Sequence, residues 1–332
     1  MSIKFQTRNN KFTYYLSGHL RRLYPRFFVR SQLQKIEKAI DKIKNENISF
    51  SKRLDYYYQE DQKFSLHNDF ASTYSFEDWR LSEIANIGFS DGVYSLDLFK
   101  YSRFFNPDNK IAYLFGDIIK SPEIPSLTKT RPLNHENSCS VLMKFDAIRH
   151  FRKFDDPFSF QEKENTLIWR GAVCQQPHRI SFMENFFNKS KFINVGDTNK
   201  TKNPINKDWT VPYSPIPNQL KHKFILSIEG NDVATNTKWI MNSNSLLFMT
   251  KPKIESWLME GKLIPGFHYV QVKDDYSNLE DLIEYFIKHI DEAEEIIKNA
   301  NNYMKQFDNQ DVEDWLQIKI LEKYFKNSSQ PI

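Results

Sequence analysis

Two short apolar runs, Phe224-Ile225-Leu226-Ser227-Ile228 and Leu246-Leu247-Phe248-Met249, constrain this chain more than any other feature. Neither alternates between polar and apolar residues, so each suits a strand buried on both faces. Between them lies a polar turn, Glu229-Gly230-Asn231-Asp232, and then Thr235 to Met241, which reads as a short helix. A Trp-bearing segment follows, and then a third run, Tyr269 to Val272. Strand, helix, strand in this order is the grammar of a parallel α/β sheet. Ligands of such sheets sit where strands end and helices begin. Here that junction runs from Glu229 to Lys238 and offers carboxylates, amides, hydroxyls, free helix N–H groups and one lysine. Those groups suit a sugar, a ribose or a diphosphate.

The 332 residues are enough for two domains with separate cores. With 28 Phe and 16 Tyr the chain has ample material for them. Glycine is too scarce, at 9, for a Gly-rich nucleotide loop. Cys139 and Cys174 are far apart in sequence, which fits a reducing compartment rather than a disulfide framework. No apolar stretch approaches the length of a membrane span, and the N-terminus has no apolar core of the signal-peptide type. The net charge of +4 is unevenly spread. Residues 1–53 carry 13 Lys or Arg against only Glu37, Asp41 and Glu46. Within them Leu20, Leu23, Tyr24, Phe27 and Phe28 interleave with Arg21, Arg22, Arg26 and Arg30. Two readings stand: a segment lying on anionic lipid, or an apolar stripe docked on the body with its arginines in water.

Taken in order, 31–47 has helical spacing at Leu33, Ile36, Ile40 and Ile43. Arg53 to Tyr58 opens a region expected to be rich in strand and loop, its tyrosines either half-buried packing or a sugar platform. His67 reads as structural. Tyr94 to Tyr101 reads as a strand leading into an aromatic helix. Ile111 to Phe115 is a strand followed by Gly116-Asp117. An aspartate there either serves as a catalytic base or caps the next turn. Lys129 and Arg131 lie two apart in an extended segment and so share a face, suited to an acidic acceptor or phosphate, or simply to solvent. Asn137 to Phe151 has helical spacing at Val141, Phe145 and Ile148. Phe154 to Glu164 is the best linker. Beyond it come a strand at Thr166 to Trp169, an Arg170-Gly171 turn, and a helix opened by Pro177. That helix carries Arg179 in its first turn, where the dipole gives a cation no benefit. Phe192 to Val195 is another strand, ending in Gly196-Asp197. Leu279 to Tyr303 and Val312 to Phe325 are two terminal helices. Trp257, Glu260 and His268 read as core or as support for a site.

No HExxH, GxSxG, GxxxxGK[ST], metal-spaced Cys/His group or Asp-x-Asp is present. Two Rossmann-like halves, with an Asp on the first and basic residues on the second, suit group transfer without a metal. Several longer words point further. They are RLDYYY (53–58), YLFGDI (113–118), IPSLTKTRPL (124–133), NSCSVLMKFDAIRHF (137–151), LIWRGA (167–172) with Arg179, IEGNDVATNTKWIMNSNS (228–245) and ESWLMEGKLIPGFHYVQVKDDYSNL (255–279). On these the chain resembles glycosyltransferase family 90. That family includes the LpsA-type lipopolysaccharide-core enzymes of bacteria, fungal capsule xylosyltransferases and animal protein O-glucosyltransferases. The likeness is strongest to the bacterial branch and covers residues 53–290.

The resemblance implies an α/β fold of GT-B type, with two Rossmann-like domains facing a central cleft and helices at both ends. The expected boundaries are a basic helical extension over 1–52, an acceptor-side domain over 53–156 and a donor domain over 157–332. It implies inverting, metal-independent transfer of a hexose from a UDP-sugar to a hydroxyl of a lipopolysaccharide core or other bacterial surface glycan, with no cofactor. Asp117 matches the family's catalytic base. Arg170, Gly171 and Arg179 fall on the diphosphate side. Glu229, Gly230, Asn231, Asp232, Ala234, Thr235, Asn236 and Lys238 match the segment that closes over the donor, and Lys129 and Arg131 suit the acceptor. Animal members have an arginine near Asn236, and here Lys238 or Lys129 is left to supply that charge. Their secretory signals and disulfides are missing, so the expected location is the cytoplasm, against the inner face of the membrane. The rival readings are a catalytically silent glycan-binding protein on the same fold and a sugar kinase. The kinase is disfavoured because no phosphate loop is visible.

Overall fold

The computed structural model describes residues 11–43, 47–59, 63–66, 73–75, 91–106, 108–133, 139–152, 154–199 and 204–332; His67 lies outside them. The elements through residue 150 are α1 (Lys11–Leu20), α2 (Arg26–Lys42), α3 (Asn47–Tyr57), β1 (Thr73–Ser75), α4 (Asp91–Ser102), β2 (Lys110–Leu114), β3 (Ser126–Thr128), β4 (Thr130–Pro132), β5 (Ser140–Leu142) and α5 (Ala147–His150). Next are β6 (Glu164–Gly171), α6 (Pro177–Phe186), β7 (Ile193–Asp197), α7 (Ile216–Gln219), β8 (His222–Ser227), α8 (Thr237–Ile240) and β9 (Leu246–Met249). Last are β10 (Ile254–Ser256), β11 (Val270–Gln271), α9 (Leu279–Lys288), α10 (Ile290–Met304) and α11 (Gln310–Asn327). The fold is mixed α/β. By contacts, His150–Pro252 and Gly261–Gln306 form one unit, and Asn9–Arg149, Lys253–Glu260 and Phe307–Ile332 form the other. The division is not consecutive along the chain.

The first unit holds a five-stranded parallel sheet in the order β11-β9-β8-β6-β7. Counted along the chain this is the doubly wound order 2-1-3-4-5, whose switch point lies between β6 and β8. Leu167, Trp169, Phe224, Leu226 and Phe248 enter a core with Phe182 and Met183 of α6, Ile283 and Phe286 of α9 and Ala293 of α10. Ile168, Ile225 and Leu247, on the opposite face, are buried as well. Both faces are covered, which is why these strands read as unbroken apolar runs. The expected helix over Thr235–Met241 is a single turn, α8. The expected helix over 279–303 is two: His289 leaves helical geometry at φ −111°, ψ 65° and stacks its ring on Tyr285.

In the second unit β2, β3 and β5 run parallel, and β1 joins β2 antiparallel. A separate antiparallel ribbon pairs β4 with β10. Three elements differ from the sequence expectation. Residues 53–57 are helical, because Arg53 and Tyr57 are buried one turn apart and bonded to each other. Tyrosine's strand preference yields to that packing. Residues 91–102 are one helix, with Val93, Leu96, Leu98 and Tyr101 all buried. The segment 139–151 is not one helix: Ser140–Leu142 pairs with β3, and Asp146 at φ 53° turns the chain before α5. Val141, Phe145 and Ile148 are all buried, so spacing alone could not tell a strand plus a turn from a helix.

Candidate active site

The site in the parallel-sheet unit grows from the carboxyl ends of β6 and β8, at the switch point. Pro177 sets the first turn of α6 and brings Arg179 back over both strand ends. Its guanidinium donates from Nη1 to the carbonyl of Ala172 (2.6 Å), from Nη2 to that of Ile228 (2.8 Å) and from Nε to that of Glu229 (3.0 Å). Nε2 of His178 donates to the same Glu229 carbonyl at 2.8 Å, which fixes its tautomer. Burial pushes the pKa of Arg179 down, while the more distant Cys174, Tyr276 and Asp197 act the other way. Every hydrogen-bond partner it has is a neutral carbonyl. A half-buried cation without a carboxylate partner is poised for an anion brought by a ligand.

The glycine positions follow from this packing. A Cβ on Gly171 would lie 2.6 Å from the indole of Trp169, and one on Gly230 would lie 3.2 Å from Nη2 of Arg179. Asn231 is tied to Gln176, and the Gly230 N–H donates to the carbonyl of Asp232. Asn236 is spent on the β8–α8 junction. It donates to the Leu226 carbonyl at 2.9 Å and accepts from the Ser227 hydroxyl at 3.0 Å. Ala234 is buried, and the side chain of Thr235 is exposed. Lys238 is buried with its ammonium 5.8 Å from the Phe151 ring centre. Arg170 does not join Arg179: it faces β7, donating to the backbone carbonyl of Asn194 at 2.8 Å and to its side chain at 2.6 Å.

One residue of this edge was not singled out from sequence. Asp197 ends β7 opposite Gly171, is 1% exposed, and accepts with Oδ1 from the N–H groups of Val173 and Asn199. Its Oδ2 is buried with no hydrogen bond. The signal was present in the pattern of an acid directly after a strand, as at Asp117. A hollow of about 550 Å³ among Glu164, Thr166, Asn194 and His222 lies at the other end of β6 and is separate from this edge.

In the other unit Asp117 follows β2, after Gly116 at φ 96°. Nothing lies within 4 Å of a Cβ built on Gly116, so the backbone conformation alone calls for glycine. The Asp117 side chain is 38% exposed and its Oδ1 accepts from Nζ of Lys129 at 2.9 Å. Lys129 is buried and also meets the hydroxyl of Tyr94. Arg131 turns elsewhere and is fully buried, donating to Oε1 of Glu255 at 2.7 Å and to the carbonyl of Tyr56 at 2.8 Å. The two cations expected on one face therefore have different partners: Lys129 holds the carboxylate of Asp117, and Arg131 ties β4 to β10. Among the described residues, no group of three or more His, Cys, Asp or Glu is placed to hold a metal ion.

Comparison with known proteins locates the chain. Residues 144–330 match the family model described as glycosyl transferase family 90. The O-glucosyltransferase LpsA of Dichelobacter nodosus is 41% identical over 234 residues, covering 70% of this chain and 72% of that protein.

Proposed function

Because this chain belongs to glycosyltransferase family 90, we propose that it moves a glucosyl residue from UDP-glucose to a hydroxyl of a lipopolysaccharide core or related bacterial surface glycan. Glycosyl transfer itself follows from the family; the sugar is taken from the name of the relative. The finer reading is a GT-B enzyme that inverts the anomeric centre and needs no metal. Asp117 removes the proton of the acceptor hydroxyl as that oxygen attacks the anomeric carbon and the UDP oxygen leaves. Lys129 positions the carboxylate for that step. Arg179 binds the departing diphosphate. Glu229, Asn231 and Asp232 accept from sugar or ribose hydroxyls. Work on such a glycan fits the cytoplasmic side of the inner membrane.

The observation that carries this reading is Arg179, bound to three carbonyls and to no carboxylate, at the switch point of a doubly wound sheet. The test is UDP release from a panel of UDP-sugars with EDTA present. UDP-glucose should be turned over. Asp117→Asn keeps an acceptor for Lys129 and should lower kcat about a hundred- to ten-thousand-fold. Arg179→Met should raise KM for the donor. Turnover of none of the panel, or of a donor equally well by Asp117→Asn, would overturn the assignment.

A further inference from the structure

The N-terminal helices carry an inner apolar stripe that is largely buried and an outer set of apolar side chains that is exposed. The inner stripe docks. The Tyr14 hydroxyl donates to Asp97 at 2.6 Å, Gly18 lies against Leu96, where a Cβ would be 3.0 Å from its methyls, and Ile40 is buried. The outer set is Phe12, Leu16 and Leu20 along α1, at spacings of four, Leu23 in the 3-10 turn that follows it, and Phe27 in the first turn of α2, beyond the extended link Tyr24-Pro25. These side chains are 71, 47, 43, 73 and 67% exposed, and Tyr24 and Phe28 beside them are exposed too. Of the fourteen large apolar side chains left exposed among the described residues, seven fall between residues 12 and 28. Solitary exposed hydrophobes need no explanation, but a cluster of seven within seventeen residues does. The docked-stripe alternative raised by the sequence accounts for Tyr14, Gly18 and Ile40 but not for these residues.

We propose that this outer face is a membrane-docking surface for an anionic phospholipid bilayer, lying in the plane of the interface with Phe12, Leu16, Leu23 and Phe27 in the acyl boundary. Charge selects this occupant. Lys11 to Lys42 holds eight Lys or Arg against Glu37 and Asp41, and Lys11, Arg30, Lys35 and Lys38 are exposed. Basic helical segments with exposed aromatic and leucine side chains suit such a surface. A two-fold dimer through this face would instead set the same positive charge against itself. No described helix is long and apolar enough to cross a membrane, so the contact is interfacial. The inference stands on this surface alone and does not depend on the donor or the sugar.

The experiment is flotation of the full chain with vesicles of phosphatidylcholine, alone or with about 30 mol% phosphatidylglycerol. The protein should float with the anionic vesicles and not with neutral ones, and ~0.5 M NaCl should weaken binding. Leu23→Asp with Phe27→Asp, and separately Arg30→Glu with Lys38→Glu, should each reduce partition at least tenfold. The second pair follows from roughly fivefold per basic residue near the surface. These residues are exposed, so circular dichroism and Tm should match wild type. Failure to float, or flotation unchanged by both variants, would overturn the proposal. So would a concentration-dependent dimer abolished by Leu23→Asp with Phe27→Asp, which would assign the face to a second copy.

Discussion

At Gly171 a single hydrogen atom decides whether Trp169 can keep its place beneath the edge that carries Arg179. A Cβ there would stand 2.6 Å from the ring, against the bulk of a buried indole. Gly171→Ala should therefore cost about 1–3 kcal/mol, read as a fall in Tm. Gly116→Ala meets no atom and should cost less than that, about 1 kcal/mol, from its φ of 96° alone. Asp97 supplies a pH test. Burial pushes its pKa up from 3.8 to about 6, against the opposing bonds from Tyr14 and the Ala147 N–H. Across that window the folded state binds more protons than the unfolded one. Stability should fall as pH rises from about 4 to about 6, by about 3 kcal/mol from this group. Asp97→Asn should flatten the Tm–pH curve there, and an unchanged curve would place the charge elsewhere. The sequence shows Asp117 because an acid after a clean apolar strand is a local pattern. That Lys129 faces it from twelve residues on, and that Arg131 does not accompany Lys129, depends on β4 leaving the sheet to pair with β10, which no local spacing records.

Among the elements, α3 and α11 meet around a buried carboxylate. Glu313 accepts from Arg53 at 2.6 Å, from Lys144 at 2.7 Å and from the Trp257 indole at 2.7 Å, while Tyr57 stacks on Trp257 at 3.8 Å. Burial alone would raise the pKa of Glu313, but Lys144 and Arg53 outweigh it and the net direction is down. Its contribution is present above the ordinary carboxylate range and is lost as pH falls through the lowered folded value. Glu313→Gln leaves Arg53 and Lys144 without their counter-charge and should cost about 3–5 kcal/mol, measured as a lower Tm at neutral pH. The same network explains why a region expected to be strand and loop is helical at 53–57, with its tyrosines packed as one of the two readings had it. In RLDYYY the side chains of Arg53 and Tyr57 meet only on a helix, and a partner 260 residues away is what buries them. Strands β8 and β9 were legible because both their faces are apolar, which needs no distant partner to see. Helix α4 was not, since it is buried nearly all round and shows no amphipathic period.

At the largest scale, the chain passes between the two contact units four times among the described residues, after Arg149, Pro252, Glu260 and Gln306. A division drawn along the sequence can only be consecutive, so it keeps α11 beside α10. Contacts place α11 with α2, α3 and α4 instead: Tyr324 donates to the carbonyl of Pro125, and Asn327 to the hydroxyl of Tyr58. Cooperative opening follows packed units rather than chain order. Hydrogen exchange of the intact protein in mild denaturant should therefore show α11 losing protection together with α3, α4 and β2. Strands β6, β8 and β9, with α9 and α10, should behave as a second group. The short segment Phe307 to Asn309 would then separate two helices adjacent in sequence but different in opening free energy. Exchange of α11 in step with α10, and out of step with α3, would mean that the terminal helix draws its stability from its chain neighbour. The Glu313 network would then add little to the cohesion of the unit that holds Asp117.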